Sequence, residues 1–96
     1  MKKLVKLNPT GQQKSFGGKA HWYEREDGVR VLISYETAVA AVSGGVLYRL
    51  WDDYSATTLR HVDAFADMCG VPFKGNKAAW EAMPVVDLCE VSTIAA

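Results

Sequence analysis

The run from Tyr48 to Val62 constrains the fold most. An apolar strand pattern, Tyr48-Arg49-Leu50-Trp51, breaks at the polar Asp52-Asp53-Tyr54. Ser55 then opens a helical pattern, because its hydroxyl can accept a free backbone N–H of the first turn. Leu59, Val62, Phe65, Ala66 and Cys69 follow at helical spacing and make one apolar stripe. Gly70 suits the position just past the helix, and Pro72 prevents its continuation. The spacing predicts a helix over 56–69, with Thr57, Arg60, Ala64 and Asp67 facing away from the stripe. A helix with one apolar stripe needs an apolar surface to cover, and the strand patterns supply it.

Those patterns begin at Leu4, Val5 and Leu7, a short strand ended by Asn8-Pro9. Residues 8–18 read as a loop in which Phe16 is the anchor. Lys19 to Arg25 and Val29 to Tyr35 are rich in aromatic and β-branched residues and form a hairpin. A two-residue turn at Asp27-Gly28 would set Arg25 against Arg30. A three-residue loop, Glu26-Asp27-Gly28, sets Glu24 against Arg30 instead and turns a repulsion into an attraction. A second hairpin joins Thr37–Val42 to Val46–Trp51 through Ser43-Gly44-Gly45. The unbroken run from Val29 to Val42 is long for one strand, so a bend or bulge is expected near Glu36-Thr37. A second, shorter helix is expected from Lys77 to Met83, capped by Asn76, stopped by Pro84 and docked by Trp80 and Met83. Residues 85–91 fit a closing strand. The fold class is therefore α+β, in one domain. A curled antiparallel sheet of four or five strands carries one main helix, with a short second helix beside it.

Ninety-six residues with 49% hydrophobic content suffice for one core. The formal net charge is +0, so no global field favours DNA or an anionic membrane. Charge is unevenly placed: five Lys and no acid over residues 1–20, seven acids against Arg60, Lys74 and Lys77 over 52–96. Cys69 and Cys89 match no zinc or redox spacing and read as buried, reduced thiols. Met1-Lys2-Lys3 opens like a signal peptide, but Asn8-Pro9-Thr10-Gly11 stands where the apolar region should run. With no stretch of transmembrane length, a cytoplasmic protein is expected.

The polar clusters carry no recognisable catalytic, metal or phosphate motif. Cys69, Cys89, His21 and His61 lack the short local spacings of zinc ligands, so no metal is expected. Ser55 and His61 point about 120° apart around a helix, which disfavours a nucleophile–base pair. Asp52-Asp53 are adjacent and point to opposite sides of an extended chain. Gly17-Gly18 and Gly44-Gly45 lack the pattern of a phosphate loop. Trp22, Tyr23, Tyr35, Tyr48 and Trp51, flanked by Arg25, Arg30 and Arg49, supply the residue types that stack single-stranded bases. Neutral charge and the lack of an RNA-recognition signature weigh against that reading.

The stretches Leu32–Ala40, Tyr48–Trp51 and Tyr54–Val62, with Lys14–Ala20 before them, resemble a group of short uncharacterised proteins of bacteriophages and mobile elements of Gram-positive bacteria. The similarity spans roughly residues 14–66. The group carries no activity to transfer, so the resemblance supplies no catalytic residue and no cofactor. It implies a non-enzymatic accessory protein that binds a host protein in the host cytoplasm. Defence nucleases such as CRISPR effectors are one such target (anti-CRISPR-like action), and a single-stranded nucleic-acid-binding module is the alternative. The partner-binding residues are expected to be Trp51, Tyr54, Thr57, Arg60 and His61, since Trp, Tyr and Arg dominate interface hot spots. Oligomeric state is left open.

Overall fold

The computed structural model describes residues 5–6, 19–73 and 76–95. Five strands run in the order β1-β2-β3-β4-β5, every neighbouring pair antiparallel, in a sheet that does not close. They are β1 (Val5–Lys6), β2 (Ala20–Glu24), β3 (Arg30–Ser34), β4 (Thr37–Ser43) and β5 (Val46–Arg49). Three helices follow: α1 (Ala56–Met68), α2 (Lys77–Ala82) and α3 (Leu88–Ala95). The fold is α+β, with four longer strands and a two-residue strand at one edge. The expected loop at residues 8–18, with Leu4, Leu7 and Phe16, lies outside the described residues.

The first hairpin takes the register that charge favours. Glu24 pairs with Arg30, and Arg30 Nε donates to Glu24 Oε1 at 3.1 Å. Gly28 has φ 88° at the left-handed position of the loop. The second hairpin is tighter than the sequence suggests. Ser43 pairs with Val46, so the turn is Gly44-Gly45 alone, with φ 59° and 77°. Positive φ at both central residues matches the right-handed twist of the strands.

The run from Val29 to Val42 does not bend as one strand but reverses completely. Ser34 pairs with Thr37 across the two-residue turn Tyr35-Glu36, which ends β3 and starts β4. A bulge does occur, but within the pairing: Leu32 faces Ala40 while Ile33 faces Ala38. The extra residue, Val39, joins Ala40 in the cluster beneath α1.

Helices cover both faces of the sheet. Ala20, Trp22, Leu32, Ala40, Val42 and Leu47 on one face pack with Leu59, Val62, Phe65 and Ala66 of α1 and Trp80 of α2. Val31, Ala41 and Tyr48 on the other pack with Leu88 and Val91 of α3. Ser55 Oγ accepts from Thr58 N at 3.3 Å and Gly70 has φ 73°, so both ends of α1 are closed as expected. Asn76 Oδ1 likewise accepts from Ala79 N at 2.7 Å at the start of α2.

Other expectations fail. Ala64 is buried rather than outward, because the buried arc of α1 widens to include Thr58, His61 and Ala64. Cys69 is half-buried at the end of α1, and Cys89 is exposed; both are free thiols, not two buried ones. Residues 85–91 are not a strand. Val85 makes a single parallel bridge to Arg49, and α3 begins at Leu88. Asp87 Oδ1 accepts from Cys89 N at 3.4 Å, and the Asp87 carbonyl accepts from Glu90 N at 2.9 Å. An acid that takes up free N–H groups starts a helix where the flanking valines suggest a strand.

Candidate functional site

The first half of α1 is pinned to the end of β3 by a buried polar cluster. Ser34 Oγ lies 2.8 Å from His61 Nδ1 and 3.0 Å from Thr58 Oγ1. Thr58 and His61 sit three residues apart on α1, so they share a face that meets Ser34. All three side chains are buried, His61 with 1% exposure. The Ser34–His61 distance is that of a nucleophile and its base. Here the pair is sealed between helix and sheet, where it holds β3 against α1.

Burial pushes the His61 imidazole below its ordinary range, and the charges of Arg60 and Lys19 push it the same way. The native state therefore binds this proton less readily than the unfolded chain. Stability from this site is full above about pH 6.5 and is lost as pH falls below that toward the lowered native value. Chemical denaturation at pH 8 and pH 5 should show wild type losing stability in acid and His61→Asn losing less of it. Equal pH dependence in the two proteins would remove His61 as the cause.

Directly above the cluster lies the turn between β3 and β4. Tyr35 has φ 59° and is the described non-glycine residue with positive φ. A two-residue hairpin asks for positive φ at its first central position, where Gly and Asn cost least. The next hairpin of this chain uses Gly-Gly; this one carries a tyrosine that is 49% exposed. Its N–H donates to the Lys19 carbonyl at 2.7 Å. Its ring lies 5.8 Å from the His61 ring and 5.7 Å from Lys19 Nζ. Lys19, Tyr35, Glu36 and Thr37 line a shallow, open depression of about 490 Å³.

The residues expected to bind a partner fall into three environments. Thr57 and Arg60 are exposed on α1. Trp51 and Tyr54 are half-buried against the cluster beneath α1, with Lys77 Nζ 5.1 Å from the Tyr54 ring. His61 faces inward. The structure thus brings Tyr35 beside both His61 and Lys19, residues far apart in sequence. Tyr35 carried a signal of its own only as one aromatic among five.

The aromatic residues considered for base stacking are mostly committed elsewhere. Trp22 and Trp51 pack on one core cluster, Tyr23 and Tyr48 on the other. Their expected cationic neighbours are engaged too. Arg25 pairs with Asp27 at 2.8 Å, and Arg30 with Glu24 at 3.1 Å while stacking over Trp22. Arg49 is buried beside Trp80. Among the described residues, no group of three or more His, Cys, Asp or Glu side chains is placed to hold a metal ion. No described helix is long and apolar enough to cross a membrane.

Fold and site together define an α+β protein: an antiparallel meander under a capped helix, with a strained aromatic turn at one end. The chain belongs to the DUF8033 family, a family of unknown function whose model matches residues 5–82. No curated protein and no solved structure matches it.

Proposed function

We propose that the protein acts without catalysis, by binding another protein through the surface formed by Tyr35, Thr57 and Arg60. Tyr35 carries this reading. A half-exposed tyrosine occupies a backbone position that glycine would fill at lower cost. Strain of this kind persists where a side chain is wanted for contact. Tyr and Arg are also the types that concentrate interface energy, and the α1–β3 cluster beneath them keeps them ordered before binding. The sealed Ser34–His61 pair gives no support to an enzyme.

The finer reading is an accessory protein of a phage or mobile element, working in the host cytoplasm as an inhibitor of a defence nuclease such as a CRISPR effector. It rests on the sequence resemblance. A single-stranded nucleic-acid module draws less support, since Trp22, Tyr23, Tyr48 and Trp51 are packed against the core clusters.

Tyr35→Gly separates contact from folding. Glycine relieves the positive φ, so stability should hold or rise by up to about 1 kcal/mol. Capture of a protein from a host lysate should weaken by more than about 1 kcal/mol. Thermal denaturation and quantitative pull-down read the two effects. Full capture by a stable Tyr35→Gly protein would sink this surface.

A further inference from the structure

We infer that α3 is a displaceable cover, and that the sheet face beneath it takes an amphipathic helix of another protein in its place. This is the face opposite α1, so the inference goes beyond the surface of Tyr35, Thr57 and Arg60. Val29, Val31 and Ala41 are buried there, with Tyr23, Ile33 and Tyr48 half-buried beside them. All six residues fall within the part of the chain that matches the family, whereas α3 lies beyond it. The face and its cover are therefore separable in the chain.

The fit of α3 to this seat is loose. It has eight residues, fewer than the about 12–15 at which a helix becomes even marginally stable alone in water. It therefore persists by docking. Among its described side chains Val91 is buried and Leu88 half-buried, while Cys89 and Glu90 are exposed. None of them enters the core beneath α1. An open groove of about 430 Å³, lined by Ala38, Leu50, Val85, Val86 and Asp87, lies beside Leu88. Four of those five side chains are apolar, so the groove has room for a bulkier apolar group than Leu88 supplies. Arg25 Nη1 donates to the Leu88 carbonyl at 3.2 Å, a grip on backbone that any helix can offer. The seat thus takes two apolar side chains three positions apart on one helix face. A helix with the same spacing and a larger side chain at the first position, such as Phe, fills the groove. It takes more apolar surface out of water than α3 does and displaces it.

Native-state hydrogen exchange on the full chain reads the cover directly. Amides of α3 should exchange at least about a hundredfold faster than those of β3 and β4. Equal protection would make α3 part of one cooperative unit and overturn the inference. Fluorescence anisotropy with a labelled peptide of residues 85–96 carrying Cys89→Ser, and with the same peptide carrying Leu88→Phe as well, reads the seat. The full chain with Val91→Asp, its own cover lifted, should bind the first peptide at least about tenfold more tightly than wild type does, because the tethered competitor is gone. It should bind the Leu88→Phe peptide more tightly still. Absent binding, or equal binding of the two peptides, would overturn the inference. So would a Val91→Asp chain whose β3 and β4 amides lose protection, since α3 would then build the fold rather than cover it. Sedimentation tests the other occupant: a wild-type dimer that dissociates on Val91→Asp would give the seat to a second copy exchanging α3, and not to a partner's helix. None of these readouts involves the Tyr35 surface, so failure here leaves the binding role proposed above in place.

Discussion

Phe65→Ala should cost about 3–5 kcal/mol, the usual loss for a large aromatic removed from a packed core. Phe65 lies on the inward side of α1 with 0% exposure, in the cluster formed with Leu32, Val39, Val62 and Trp80. Removing the ring deletes buried apolar surface and leaves a cavity that a helix fastened by a cap at one end and by the Ser34–Thr58–His61 cluster on its face cannot close. A domain of this size holds roughly 5–15 kcal/mol in all, so the loss is a large share of it. The midpoint of thermal unfolding should drop by on the order of 15 °C or more. Urea denaturation gives the free energy directly. A midpoint equal to that of wild type would mean that Phe65 does not hold helix to sheet.

The helix that carries Phe65 was legible because its signals are local. A serine hydroxyl meets an N–H three residues on, and a glycine follows the last turn, with both partners close in sequence. The Glu24–Arg30 register was legible for a related reason, since one turn length attracts and the other repels. The reversal at Tyr35-Glu36 was not. It uses a tyrosine where the turn chemistry asks for glycine, so the sequence reads there as continuing strand. Burial of His61 was also hidden. Its partner Ser34 stands 27 residues away, and only the antiparallel return of β3 brings the two together. The same holds for the grouping of Lys19, Tyr35 and His61, which depends on a turn that the sequence does not announce. Trp51 and Tyr54 carried the opposite difficulty. Their types suit an interface and a core equally, and the packing of α1 decides in part for the core.

Replacement of Arg49 should rank with that of Phe65, although none of its hydrogen-bond acceptors is a carboxylate. Arg49 is 7% exposed, at the end of β5. Its Nε donates to the Trp51 carbonyl at 2.8 Å, Nη1 to the Trp80 and Met83 carbonyls at 3.2 and 3.3 Å, and Nη2 to the Asp53 carbonyl at 3.4 Å. The guanidinium carbon lies 5.0 Å from the centre of the Trp80 ring. Two of these acceptors close the C-terminal end of α2, where partial negative charge collects. The other two belong to the segment between β5 and α1, which Trp80 Nε1 grips as well by donating to the Asp53 carbonyl at 2.9 Å. One side chain thus fastens the strand, the loop that leads into α1, and α2. Bonds from a charged donor contribute about 1.5–3 kcal/mol, and each buried acceptor left bare costs about 1–3 kcal/mol. Arg49→Ala should therefore lose about 3 kcal/mol or more. Arg49→Lys keeps the charge but not the fork of donors, and it should still lose about 1.5–3 kcal/mol. Hydrogen exchange distinguishes this from a general loss of stability. Amides of α2 should lose protection at denaturant concentrations where those of β3 and β4 keep theirs, because α2 is the element that Arg49 ties down. Full restoration of stability by lysine would show that the charge alone suffices. Equal loss of protection across α2 and the sheet would show that Arg49 holds the whole fold rather than this corner of it.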